Sequence, residues 1–580
     1  MSSNYEKHPY VAISSDPRDC DTGWAAIMQR LLGLTTRRNL VICVECYPGV
    51  FEDDIERTLR TLLSPREIVR TRDYLESPAQ INSKLAPGLS VDPVFGRLTS
   101  LELADYFRPG EMRRLASNKS KGGMKVVVGT GAVLVAPEWD ILVYADLARW
   151  EIQQRQRRGE IGNFGLDNRD AAPGEKYKRA FFADWRIADR LKKQLLPRID
   201  FLLDTTKPEE PKMISGGLFR RALAETTKRP FRVQPFFDPG PWGGQWIREV
   251  CDLPDGPPNY AWCFDCVPEE NSLLFGIGSQ RIEVPAIDLV FSHPCELLGD
   301  SVHARFGTEF PIRFDFLDTM QGGNLSLQVH PLTEYIQQHF GMHYTQDESY
   351  YLLDGGEDAC VYLGLREGVD RGAMISDLRA AQEGGPPFST EKYINRWPAK
   401  KHDHFLIPAG TVHCSGRNSM VLEISATPYI FTFKLWDWGR HGLDGRPRPI
   451  HLKHGISNIQ WDRTTEWVRQ ELVNQIGPIA EGKGWREERT GLHQREFIET
   501  RRHWFTRPVL HNTRGHVNVL NLVEGREVLV ESPSGKFDPV VIHYAETFIV
   551  PAAAGEYTIR PGLHTPKPFA TIKAFVRTKA

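Results

Sequence analysis

The chain has 580 residues, more than a single hydrophobic core supports, so several domains are expected. Charged residues make up 25% and hydrophobic ones 41%, and the net charge of -2 leaves no bulk field to draw the chain to nucleic acid or an anionic membrane. The opening MSSNYEKHPY lacks the apolar core of a secretory signal and no apolar run is long enough to span a bilayer, so the expected location is the cytoplasm, with neither nucleic acid nor membrane as partner.

Nine cysteines, an odd number, fit reduced thiols rather than a disulfide framework. Cys43/Cys46 and Cys263/Cys266 have CxxC spacing, but they fall in different expected domains without a glycine-rich knuckle, so no Cys₄ zinc site is expected.

From Asn39 to Thr205, short apolar runs alternate with helical stretches. Segments 40–44, 125–128, 132–135 and 140–144 read as buried strands, and 52–63, 145–158 and 176–195 as helices. Strands without alternation, separated by helices, predict a parallel sheet covered on both faces. The proline- and charge-rich stretch 206–212 reads as a boundary, giving a first α/β domain of residues 1–212. Strand, turn and helix after Asn39 resemble the opening of uridine kinase and related nucleoside-phosphate kinases of the P-loop type. Here the turn reads Glu45-Cys-Tyr-Pro-Gly49-Val-Phe51 and lacks the GK[ST] ending, while Glu45, Glu52, Asp53 and Asp54 would set negative charge beside a phosphate. The resemblance implies a degenerate kinase-like layer used for scaffolding, assembly or sensing. The basic segment with Arg155, Arg157 and Arg158 is similar to the arginine-bearing lid of such kinases and is read here as a solvated helix face.

Past Phe236 the chain is rich in proline, glycine and short alternating segments, the pattern of β-barrels joined by tight turns, with helical interruptions expected at 332–340 and 374–382. HDHFLIPAG at 402–410 is echoed by AETFIVPAA at 545–553, which implies two barrels, residues 213–450 and 451–580. The first copy leads to His413; the second leads to Gly555-Glu-Tyr557 with no histidine, so the second barrel is expected to be structural and free of metal.

Leu325-Ser-Leu-Gln-Val-His-Pro331 places Gln328 and His330 two residues apart, on one face of a strand. With Glu348 and the histidine of Ile407-Pro-Ala-Gly-Thr-Val-His413, they offer an amide, a carboxylate and two imidazoles, a mixed set suited to a borderline divalent ion such as Zn²⁺. These motifs, with Pro241-Trp-Gly-Gly244, Phe310-Pro311, Phe316-Leu-Asp318, Glu348-Ser-Tyr-Tyr-Leu-Leu-Asp-Gly355, Leu422-Glu423, Trp436-Asp-Trp-Gly-Arg440 and Arg446-Pro-Arg-Pro-Ile-His451, resemble the short bacterial branch of type I phosphomannose isomerases over about residues 235–580.

That resemblance implies a multidomain chain in which the α/β layer precedes a mostly β double-cupin (jelly-roll barrel) isomerase with helical insertions. It implies Gln328, His330, Glu348 and His413 as ligands of one Zn²⁺, or of another divalent ion, and a sugar-phosphate substrate, mannose 6-phosphate, interconverted with fructose 6-phosphate through an enediol. It also implies a basic side chain on the strand after the last ligand. Lys434 stands there in place of the usual arginine and is the catalytic candidate, keeping the charge without the bidentate fork. Gln346 and Asp315 stand where relatives carry lysine, and Arg313, Arg440 or Arg417 are the candidates to restore the missing charge. Glu423 is a further polar candidate for orienting a ligand. No residue stands out as the general base, and the sequence sets no oligomeric state. Two alternatives remain open: a metal cupin that has lost turnover and senses a sugar or sugar phosphate, and an isomerase of a different sugar.

Overall fold

Residues Asn39–Cys46 run without polar alternation, and in the computed structural model they form the middle one (β2) of five parallel strands in a seven-stranded sheet. The structure describes residues 3–34, 39–111, 123–426, 430–442, 445, 448–491, 493–562 and 568–578. The sheet contains β1 (Cys20–Thr22), β2, β3 (Glu67–Arg70), β4 (Gly123–Gly129), β5 (Ile141–Asp146), β6 (Phe201–Asp204) and β7 (Lys212–Ser215), in the order β1-β7-β6-β5-β2-β4-β3. The five strands β2 to β6 are mutually parallel and, counted along the chain, lie in the order 2-3-1-4-5. Helix α1 (Gly23–Gly33) and helix α2 (Glu52–Leu63) are amphipathic, α2 burying the stripe Ile55, Leu59 and Leu63.

Four expectations for this layer are corrected. Segment 132–135 is a single helical turn, Ala132–Val135, not a strand: Gly131 enters with φ +84°, and Glu45 accepts hydrogen bonds from the Gly131 and Val133 amides at 2.6 and 3.0 Å. A four-residue apolar run carries too little periodicity to separate the two. The helix expected from 145 starts only at Arg149, as α3 (Arg149–Arg157), because Ala145 and Asp146 complete β5.

Nor is α3 solvated along its whole basic run: Arg157 and Arg158 are exposed as expected, but Arg155 is not. Arg155 is wholly buried, stacks 4.1 Å from the Phe51 ring and donates to the carbonyls of Gly49 and Thr205 at 2.9 and 2.7 Å, while Arg149 pairs with Asp189 inside the layer. Finally, the stretch 206–212 joins neighbouring antiparallel strands β6 and β7, and the layer runs on through helix α6. The helices between are α4 (Pro173–Arg179) and α5 (Trp185–Leu195), linked by a π-helical turn, and α6 spans Gly216–Thr226. Proline and charge mark a turn as readily as a linker.

The first barrel has a six-stranded and a five-stranded sheet. Its strands are β8 (Phe236–Asp238), β9 (Trp262–Cys266), β10 (Arg313–Asp318), β11 (Leu327–Val329), β12 (Glu348–Gly355), β13 (Cys360–Leu365), β14 (Ile394–Pro398), β15 (His404–Ile407), β16 (His413–Ser415), β17 (Ser419–Ser425) and β18 (Phe433–Trp436). The sheet orders are β15-β12-β17-β10-β9-β8 and β14-β13-β16-β11-β18. The expected helical interruptions are α7 (Thr333–Phe340) and α8 (Arg371–Gln382); α8 starts three residues early because Asp370 caps it, accepting from the Ala373 amide at 2.9 Å.

The second barrel comprises β19 (Gly477–Gly482), β20 (Trp485–Gly491), β21 (Ile498–Phe505), β22 (Val509–Asn512), β23 (Asn518–Glu524), β24 (Glu527–Glu531), β25 (Val540–His543), β26 (Thr547–Val550), β27 (Glu556–Pro561) and β28 (Phe569–Val576). Its sheets run β19-β20-β21-β28-β23-β26 and β22-β27-β24-β25. The sequence echo places β15 and β26 at the same edge of their two six-stranded sheets. The boundary expected at 450 falls inside the packing of the first barrel. Asn458 accepts from the Leu332 amide at 2.8 Å, Arg463 donates to Pro408 O at 2.7 Å, and Leu406 N bonds Leu472 O at 2.9 Å, so 452–472 finish the first barrel.

All nine cysteines are free. Among the described residues no helix is long and apolar enough to cross a membrane.

Candidate metal centre

Strand register gathers the four predicted ligands. Gln328 on β11 lies directly opposite His413 on β16, and Glu348 opens β12 opposite Ile407, a few residues before that histidine. The Nε2 atoms of His330 and His413 stand 3.1 and 2.7 Å from the two Glu348 oxygens, and the Gln328 amide reaches His413 Nε2 at 3.2 Å. His330, Glu348 and His413 are 1, 2 and 0% exposed, and one donor atom from each lies within 4.8 Å of the others.

The imidazoles are held from behind. His330 Nδ1 lies 3.0 Å from Phe431 O and His413 Nδ1 lies 2.9 Å from Thr411 O, so each Nδ1–H donates to a backbone carbonyl and each Nε2 lone pair faces the carboxylate. Burial alone would raise the Glu348 carboxyl; the two imidazoles, when protonated, pull it well below the ordinary carboxylate range, and a cation placed between neutral rings would do the same. Buried atoms of His330 and Glu348 have no hydrogen-bond partner among the described residues. Two lone pairs and an ionised carboxylate converging in a dry place fit a divalent cation.

Gln328 and Gln346 both touch this trio and both line a cavity of about 360 Å³; Gln346 donates to Glu348 at 3.0 Å. Lys434 lies opposite Gln328 on β18 and faces the same cavity. Burial, with Arg448 and Arg440 nearby, lowers its ammonium to about 7. On the far wall Arg313 pairs with Asp315 at 3.0 Å and with Glu423. Three carboxylates share this region, Glu348 included: burial and neighbouring charge push Glu423 well up, and burial lifts Asp315 to about 6 against the pull of Arg313.

Of the three compensating arginines, Arg313 alone lines the cavity among the described residues. Arg440 is tied to Asp437 at 2.6 Å, and Arg417 is an exposed partner of Asp358 at 3.5 Å. Arg446 of the closing motif lies outside the described residues. Sequence reasoning missed Arg448, which lines the cavity and pairs with Asp437 at 2.9 Å; its motif had been noted but not the direction of its side chain. It also missed the whole outer wall. Trp150, Arg157 and Tyr177 of the α/β layer face the cavity, Trp150 stacks 4.0 Å from Phe236, and Arg157 clasps Asp238 at 2.8 and 2.9 Å. The basic run of α3 was visible, but not which domain its side chains meet.

Residues 23–228 match a family described as "Domain of unknown function (DUF8485)". Further similarity is to proteins named as mannose-6-phosphate isomerases. The chain is 26% identical over 235 residues to "Mannose-6-phosphate isomerase ManA" of Bacillus subtilis (strain 168), covering 40% of this chain and 69% of that protein. It is 27% identical over 217 residues to "Mannose-6-phosphate isomerase" of Streptococcus mutans, covering 37% and 63%, so the match spans less than two thirds of that relative's length. The solved mannose 6-phosphate isomerase of Bacillus subtilis superposes over 60% of this chain and 99% of its own, at 17% identity and a TM-score of 0.47.

Proposed function

We propose that this protein is a metal-dependent aldose–ketose isomerase interconverting mannose 6-phosphate and fructose 6-phosphate. The observation that carries the reading is the convergence of His330, Glu348 and His413 beside a cavity holding Lys434 and Arg448, in a chain similar to curated mannose-6-phosphate isomerases. Gln328, His330, Glu348 and His413 would hold one Zn²⁺, which supplies Lewis acidity at a sugar oxygen when bound.

The reaction removes a proton from the carbon beside the carbonyl, passes through an enediol and returns a proton to the neighbouring carbon. Lys434 Nζ, at about 7, both carries charge toward the developing oxyanion and can exchange a proton near neutrality. Arg448 and Arg157 bind the phosphate, replacing the cations lost at Gln346 and Asp315. Trp150 and its stacked partner Phe236 close the outer wall and exclude water.

The α/β layer is a degenerate nucleoside-kinase-like domain that serves as this wall. The reading rests on the strand, turn and helix after Asn39, where Glu45 and Glu52 take the backbone amides of Gly131, Val133 and Thr130. The domains are then 1–226, 227–472 and 473–580, in a cytoplasmic protein. Chelation with zinc add-back tests the proposal: turnover of mannose 6-phosphate should fall to background on chelation and return with zinc. Turnover indifferent to chelation at proven metal loss rejects it.

A further inference from the structure

The second barrel repeats ten of the first barrel's eleven strands in the same sheet order, β18 alone lacking a counterpart among the described residues, and its register identifies what replaces the metal centre. Asn518 pairs with Val550 as Glu348 pairs with Ile407, and the sequence echo aligns Val550 with Ile407, so Asn518 stands in the place of Glu348. Across β22 and β27, His511 faces Tyr557 where Gln328 faces His413 across β11 and β16. Two residues beyond Asn518, Leu520 pairs with Lys573, as Tyr350 pairs with Glu423; Lys573 pairs in turn with Arg501, as Glu423 does with Asp315. The carboxylates Glu348, Glu423 and Asp315 have thus become an amide, an ammonium and a guanidinium.

The position is not filled in. A cavity of about 210 Å³ opens there, walled by His503, His511, Asn518, Lys573 and Arg501, with Arg514 at its rim. Glu487 is its one wall carboxylate among the described residues. It accepts from Arg501 and His503 at 3.1 and 3.0 Å, with Lys573 farther off at 4.0 Å. His503 and His511 are 3 and 4% exposed, and His503 Nδ1 and His511 Nε2 have no hydrogen-bond partner among the described residues. Leaving such atoms unpaired costs about 1–3 kcal/mol each, so an open, cation-rich cavity that keeps two of them is built for a ligand with its own polar atoms.

We propose that the second barrel is a binding site for a small phosphate-bearing anion, at the position equivalent to the metal centre of the first. Lys573, Arg501 and Arg514 meet the anionic group, and the two free imidazole nitrogens with Asn518 meet its hydroxyls. A divalent cation is excluded by the same residues, since Lys573 and Arg501 would repel it.

Calorimetric titration of the full chain with inorganic phosphate tests this, using the parent, Arg448→Ala, Lys573→Met and Arg514→Ala. A phosphate site should survive Arg448→Ala, which removes a cation from the first barrel. It should weaken about tenfold or more in Lys573→Met and in Arg514→Ala, both of which keep the parent's turnover of mannose 6-phosphate. Absence of any phosphate binding in Arg448→Ala overturns the proposal, as does unchanged affinity in Lys573→Met. Should Lys573→Met not fold, exposed Arg514→Ala decides alone by the same criterion.

Discussion

His413 Nε2 lies 2.7 Å from Glu348 Oε1 while the opposite ring nitrogen is fixed 2.9 Å from Thr411 O, so the imidazole is locked with its lone pair toward the carboxylate. A ring held this way is prepared for a cation rather than for proton transfer. His413→Ala and His330→Ala should each reduce bound metal from about one per chain to near zero, read by elemental analysis after dialysis, with the fold retained by circular dichroism. Full metal retention in both variants would remove the ligand assignment.

Lys434→Met is expected to keep the metal and to lower kcat about 10²- to 10³-fold, the cost typical of removing one group that stabilises an oxyanion. Lys434→Arg should recover much of that loss, because the charge returns. Steady-state kinetics on metal-matched protein measures both, and a Lys434→Met enzyme with parental kcat would show that this ammonium does not meet the transition state.

The convergence of Gln328, His330, Glu348 and His413 was legible in the sequence because they sit in short motifs that together resemble one family's, and because Gln328 and His330, two residues apart, share a strand face. The parallel sheet was legible because its strands are apolar without alternation. What failed were features that depend on distant partners. The burial of Arg155 depends on Phe51 and on the Gly49 and Thr205 carbonyls, and the hairpin at 206–212 depends on β7 finding β6. Likewise, the cationic cavity of the second barrel emerges only when Lys573 and Arg501 are seen side by side on β28 and β21.

Because the outer wall belongs to the α/β layer, changes there should affect substrate capture more than chemistry. Arg157→Ala and Trp150→Ala are each expected to raise KM for mannose 6-phosphate about tenfold with kcat within a factor of about two. Unaltered KM in both would mean that the layer stands outside the working pocket.

Arg155→Ala should destabilise the protein by about 2–4 kcal/mol, since it strips a buried guanidinium from its carbonyl acceptors and from the Phe51 ring. Denaturant unfolding followed by tryptophan fluorescence measures this, and a loss under about 0.5 kcal/mol would indicate an ordinary surface residue.

The two barrels are joined by a titratable contact. Glu524 of β23 meets Lys401 at 2.6 Å and His402 at 3.3 Å, and hydrogen bonds from His402 and then Lys401 lower its carboxyl from 4.5 to about 2. A depressed acid stabilises the fold above its unfolded value and loses that contribution as pH falls through the folded one. Glu524→Gln should therefore be less stable than the parent near neutrality, with the gap closing between pH 4.5 and about 2. Thermal unfolding across that range reads it, and a gap that stays constant would assign the effect to packing.

The central claim rests on chemistry in the first barrel. The most direct measurement is a coupled assay of fructose 6-phosphate formation from mannose 6-phosphate by purified protein of known metal content. Stoichiometric zinc with sustained turnover, abolished in His330→Ala, is the predicted result; full zinc occupancy without any turnover would contradict it.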